Sequence, residues 1–109
     1  MDTLSTLDNG LPKDIIKEIE IENILNIANY MFEKISRLTC VRIEEGLTTI
    51  GQYAFRGCGK LSQIEFPETL VCIEAQAFNG CVSLKELHLP DHMESLAAYF
   101  LPTGWNQQS

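Results

Sequence analysis

Apolar and polar positions along this chain recur with a period of 23 residues. The stretch IGQYAFRGCGKLSQIEF, residues 50–66, returns as IEAQAFNGCVSLKELHL, residues 73–89. Ile27, Ile50, Ile73 and Leu96 form one column, and Phe32, Phe55, Phe78 and Leu101 another. Leu38, Leu61 and Leu84 form a third, followed by Val41, Ile64 and Leu87, then Ile43, Phe66 and Leu89. Tyr30, Tyr53 and Tyr99 share a column with Gln76, and Cys58 and Cys81 share one with Ile35. Chance aligns one such column at a fixed period, not six together.

Each period reads as two local structures. Leu61-x-x-Ile64-x-Phe66 alternates with the period-two spacing of a short strand. Pro67 and Pro90 end that strand, because proline cannot donate to a continuing ladder. Tyr53 to Gly57, and Ala75 to Asn79 before Gly80, predict one or two helical turns closed by glycine. One strand and one short turn enclose no core, so coils of this kind must stack, with equivalent strand residues about 4.8 Å apart.

Two full units span 47–69 and 70–92, and a degenerate one spans about 24–46. Ile16-x-x-Ile19-x-Ile21 precedes Leu38-x-x-Val41-x-Ile43 by 22 residues and is a worn earlier copy. The expected organisation is a single domain over 1–109, with an N-terminal cap at 1–15 and repeats at 16–92. A truncated repeat and C-terminal cap complete it at 93–109, where Trp105 is placed over the final coil.

The run I-x-F-P-x-x-L-x-x-I-x-x-x-A-F-x-G-C-x-x-L, from Ile64 to Leu84, resembles the BspA-like (Treponema pallidum type) leucine-rich repeat. Ile50-Gly51, Ala54-Phe55, Gly57-Cys58 and Pro67 carry the likeness in one unit, and Ala77-Phe78, Gly80-Cys81 and Pro90 in the next. Met31-Phe32 and Ile35 depart from it in the first unit, as a capping coil would. The resemblance implies an α/β solenoid, a short right-handed stack of about four coils with irregular caps. It also implies the role of such repeats, which is protein binding and adhesion, often at microbial surfaces and without catalysis.

Composition narrows the partner. The net charge of −7 excludes the basic face of a nucleic-acid binder and disfavours anionic lipid. The opening MDTLSTLDNGLPKDIIKE lacks the basic start and apolar core of a signal peptide, which predicts a cytoplasmic protein, or a surface or secreted one if the chain is a fragment. In that setting Cys40, Cys58, Cys72 and Cys81 are expected to be thiols, although stacking brings the Cα atoms of Cys58 and Cys81 to about 5 Å. Cys40 is expected to face outward and to be the more reactive.

The strand alternation assigns an outward face. Its columns are Glu18, Cys40, Gln63 and Glu86; Glu20, Arg42, Glu65 and His88; then Glu22, Glu44, Pro67 and Pro90. Six glutamates against Arg42 predict stacked like charges and a surface suited to a partner protein with a basic face. Glu18, Glu20, Glu22, Arg42, Glu44, Gln63, Glu65, Glu86 and His88 are therefore the candidate protein-binding residues.

No catalytic, cofactor or metal site is expected. His88-x-x-x-His92 straddles a proline, no Cys-x-x-Cys occurs, and Gly57-Cys-Gly59 lacks a following Lys-Ser/Thr. His88 and Glu86 have no nucleophile placed beside them. The expectation is a non-enzymatic interaction module. Its alternatives are an acidic inhibitor of immunity type and a spacer fragment of a longer adhesin. The Leu84–Leu89 strand is expected to lie open at the C-terminal edge and to offer a homodimer contact.

Overall fold

A computed structural model describes residues 3–5, 15–97 and 100. Its strands form two parallel sheets wound from one coiling chain. The first sheet takes β1 (Thr3–Ser5), β2 (Glu18–Ile21), β4 (Cys40–Ile43) and β6 (Gln63–Glu65), in that order. The second takes β3 (Asn26–Ile27), β5 (Thr49–Ile50), β7 (Cys72–Ile73) and β8 (Ser95–Leu96). The architecture is the leucine-rich coil stack that the periodicity and the motif resemblance imply.

Register follows the repeat. Ile27 pairs with Ile50, Ile50 with Ile73, and Ile73 with Leu96. Ile19 pairs with Val41 across the 22-residue step, and Val41 with Ile64 across the next. At the N-terminal side, β1 extends the first sheet by one strand, pairing Leu4 with Ile19.

The core is a set of stacked columns. Phe55 and Phe78 are fully buried, their rings parallel with centroids 5.4 Å apart, and Phe32 stacks on Phe55 at 5.5 Å. Phe66 meets the edge of Phe78 at 6.1 Å. Leu101, expected to continue this spine, lies outside the described residues, as do Tyr99 and Trp105. Stacked aromatics contribute beyond their burial, so the spine adds to the stability of the core.

The helical turns expected at Tyr53–Gly57 and Ala75–Gly80 are turns without helix. Backbone angles give the reason. Tyr30, Tyr53 and Gln76 take φ of 63°, 56° and 56°, and Lys34, Gly57 and Gly80 take 62°, 78° and 81°. A left-handed residue at each end of the arc interrupts helical winding.

The arc instead divides its N–H groups. Ala54, Arg56 and Cys58 donate to carbonyls three residues back, while Tyr53, Phe55 and Gly57 donate to Ala75, Ala77 and Asn79 of the next coil. Each turn therefore joins two coils, and its backbone is satisfied without a helix.

Two further expectations change. Pro67 and Pro90, placed outward by strict alternation, are buried, because neither lies within a strand and the alternation does not extend to them. The segment Leu84–Leu89 carries the strand pattern but forms no strand, so β6 ends its sheet among the described residues.

Candidate functional site

The first sheet builds a face by alternation. Ile19, Ile21, Val41, Ile43 and Ile64 turn into the core. Glu18, Arg42, Gln63 and Glu65 are exposed between them, and Glu20 is half-buried. Two outward rows result, Glu18–Cys40–Gln63 and Glu20–Arg42–Glu65, set by strand register. Glu22 and Glu44 follow β2 and β4 directly, the first half-buried and the second exposed.

Charges on the strands are interleaved in the order of the sequence columns, so no two glutamates stand directly opposite within β2, β4 and β6. Arg42 stands between Glu20 and Glu65, and its guanidinium donates to Glu20 Oε2 at 3.2 Å. Both side chains are about half exposed, so the pair is worth only ~0–1 kcal/mol and leaves the face acidic. Cys40 and Gln63 separate the remaining acid in the other row. The core does not need these glutamates, whose carboxylates lie at its solvent side.

Glu86 and His88 are not on the sheet. They lie on the unpaired segment after Leu84, where His88 Nε2 and Glu86 Oε1 are 2.9 Å apart and both side chains are largely exposed. A groove of about 420 Å³ separates that segment from β6. Ser62 and β6 form one wall, and Ser83, Lys85, Glu86 and His88 the other. The structure thus brings seven of the nine candidate residues onto one strand face and sets Glu86 and His88 across a groove from it. Ser62, Ser83 and Lys85 were not among the sequence candidates. The departure of residues 85–89 from the sheet leaves no mark in their period-two pattern, which could not have signalled them.

The thiols are quieter than position alone predicts. Cys40 is half-buried, and desolvation first, then the nearby Glu18 carboxylate, raise its pKa above the ordinary 9.0. Its expected reactivity is therefore corrected downward, because the thiolate is the nucleophile. Cys58 and Cys81 are fully buried, and their thiols donate to the carbonyls of Phe32 and Phe55 at 3.3 and 3.2 Å. Burial chiefly, and then Cys58, push the Cys81 thiol far up. All four cysteines are free.

No group of three or more His, Cys, Asp or Glu side chains among the described residues could hold a metal ion. His88 and His92 go separate ways, the first to Glu86 and the second to the Glu68 carbonyl. No helix among the described residues is long and apolar enough to cross a membrane.

The other side of the coil stack carries a different surface. Tyr30 and Tyr53 stack with centroids 5.1 Å apart, Arg56 lies over the Tyr53 ring, and Arg56 reaches Glu33 at 3.9 Å. These residues close on one another.

Comparison with known proteins places this geometry. Residues 12–103 match the BspA type leucine rich repeat region in six copies. No curated protein matches the chain. The Treponema pallidum leucine-rich repeat protein TpLRR is similar at 27% identity and a TM-score of 0.67, over 97% of this chain and 50% of that one. A leucine-rich repeat protein from Bacteroides capillosus shares the fold at 24% identity and a TM-score of 0.66, over 87% of this chain and 65% of that one. The pneumococcal vaccine antigen PcpA is 35% identical with a TM-score of 0.64, over 89% of this chain but 20% of its own. The chain thus spans half of the first relative and a fifth of the third.

Proposed function

Because this chain belongs to the BspA-type leucine-rich repeat family, whose coil stacks generally bind other proteins, we propose that it is a non-enzymatic interaction module acting through its acidic strand face. The partner in this reading is a protein with a basic surface. One observation carries it. Glu18, Glu20, Glu22, Glu44 and Glu65 share the face with a single arginine, Arg42, already paired to Glu20, and Glu86 stands at its margin. A concentrated carboxylate surface steers a cationic protein and repels nucleic acid.

The binding face in this proposal comprises those glutamates with Arg42, Gln63 and His88. Gln63 adds a neutral donor and acceptor between acids, and His88, bonded to Glu86, holds that carboxylate at the edge.

The test is capture from host lysate with wild type beside the E20K/E65K/E86K form. A basic partner retained by wild type at low salt, and lost on reversal, is the expected result. Equal retention by both forms would remove this face from the function. A second reading, coils acting as a spacer within a longer adhesin, draws on the greater length of the solved relatives. It expects no partner for either form.

A further inference from the structure

We propose that the groove beside β6 takes up an extended, lysine- or arginine-bearing peptide segment as an added strand. The inference rests on the acidic face being the binding face, and it names the form in which the partner reaches it.

Backbone geometry supplies the first argument. Gln63's N–H donates to Thr39's carbonyl at 3.1 Å, toward β4. Alternate residues of a parallel strand turn their peptide groups to opposite sides, so Ile64's N–H and C=O turn toward the groove. β6 is the last strand of its sheet among the described residues, so no ladder takes up those groups. An open edge of this kind is the template for strand addition.

Room and charge supply the rest. The groove holds about 420 Å³ between β6 and the Ser83–His88 segment, and its floor is the nearly buried Ile64. Its lining carries Glu65 on one wall and Glu86 on the other, with Lys85 beside Glu86. An extended segment with cations at alternate positions sets them against those carboxylates, while its intervening apolar residues meet Ile64. A second copy of this chain fits poorly, since each copy carries −7 and would set glutamates against glutamates. The segment 85–89 is the one part of the chain patterned for this place, so drawing it onto β6 closes the groove.

The probe is a fluorescent heptapeptide, KVKVKVK, read by anisotropy beside EVEVEVE and the equally basic KVKPKVK. The protein is the full chain with Cys40→Ser, and in a second form Ser62→Cys with Lys85→Cys, positions one repeat apart, so that oxidation pins the segment to β6. KVKVKVK is expected to bind the open protein. Oxidation is expected to weaken it by about tenfold or more, with recovery on reduction, and the proline peptide to bind comparably weakly. Wild-type protein supplies an independent readout, in which KVKVKVK slows hydrogen exchange at the Ile64 amide.

Equal binding to oxidised and reduced protein, or equal binding of both basic peptides with no protection at Ile64, would overturn strand addition and leave the acidic face standing. Absence of any basic-peptide binding, with E20K/E65K/E86K changing nothing, would overturn the face as well. Concentration-dependent dimerisation abolished by oxidation would assign the edge to a second copy and overturn the peptide proposal.

Discussion

At the C-terminal end of the stack the second sheet gains a fourth strand, β8, whereas the first stops at β6, although Leu84-x-x-Leu87-x-Leu89 occupies the next repeat position. The segment leading into β8 and the residue after it spend their N–H groups well: Glu94 and Ser95 donate to Val71, and Ala97 to Ile73, at 2.9–3.0 Å. Yet Leu96 in that strand is 43% exposed. Leu87 and Leu89 do the reverse, packing against the core as half-buried residues without joining a ladder. Apolar burial and strand pairing, coupled in the central coils, come apart at the end. Inward orientation is written in each coil, but a ladder depends on the neighbour it meets.

The strongest way to break the comparison is to remove what both sheets share. Phe55→Ala or Phe78→Ala deletes a fully buried ring of the aromatic spine. The expected cost is about 3–5 kcal/mol, comparable with the whole stability of a small domain. Chemical denaturation reads it as a large fall in midpoint, and an unchanged midpoint would mean that the spine does not support the stack.

A local break sharpens it. At Gly51 an added Cβ would meet Asn29 Oδ1 at 2.6 Å and the Ile27 carbonyl at 2.7 Å. Gly51→Ala is therefore expected to destabilise by about 1–3 kcal/mol. Hydrogen exchange should quicken around β3 and β5 of the second sheet and change little in β6. Uniform quickening across both sheets would mean that the two edges do not open separately.

The smallest effect is a pH dependence near ordinary conditions. Cys81 is held protonated by burial, with its folded pKa well above the ordinary 9.0. Below 9.0 both states keep the proton and stability is unaffected; above it the unfolded chain releases a proton that the folded one retains. Stability should then fall with rising pH, by at most about 1.4 kcal/mol per pH unit for this thiol. Denaturation midpoints from pH 8 to 10.5 measure it (about one unit below to above the thiol range), and Cys81→Ala should flatten the slope. A flat wild-type profile would mean that the thiol is not buried.

Much of the strand face is legible in the sequence. Alternation in Glu18–Ile21 and Cys40–Ile43 set which side chains face outward, and the 22- and 23-residue steps set which of them share a row. What alternation could not carry was contact. It placed Arg42 in the row between Glu20 and Glu65, and the structure adds the hydrogen bond from Arg42 to Glu20. It placed Pro67 outward, but Pro67 lies outside the strand and is buried.

The periodic sequence by itself determined the coil length, the inward columns and the acidic sign of the face, because each is a property of one repeat and is copied by the next. Tertiary structure alone decided the rest. The turn arcs became left-handed bends because their N–H groups find carbonyls in a neighbouring coil. The groove beside β6 exists because pairing at the end of a stack involves two segments at once, and no single stretch of sequence encodes the distance between them.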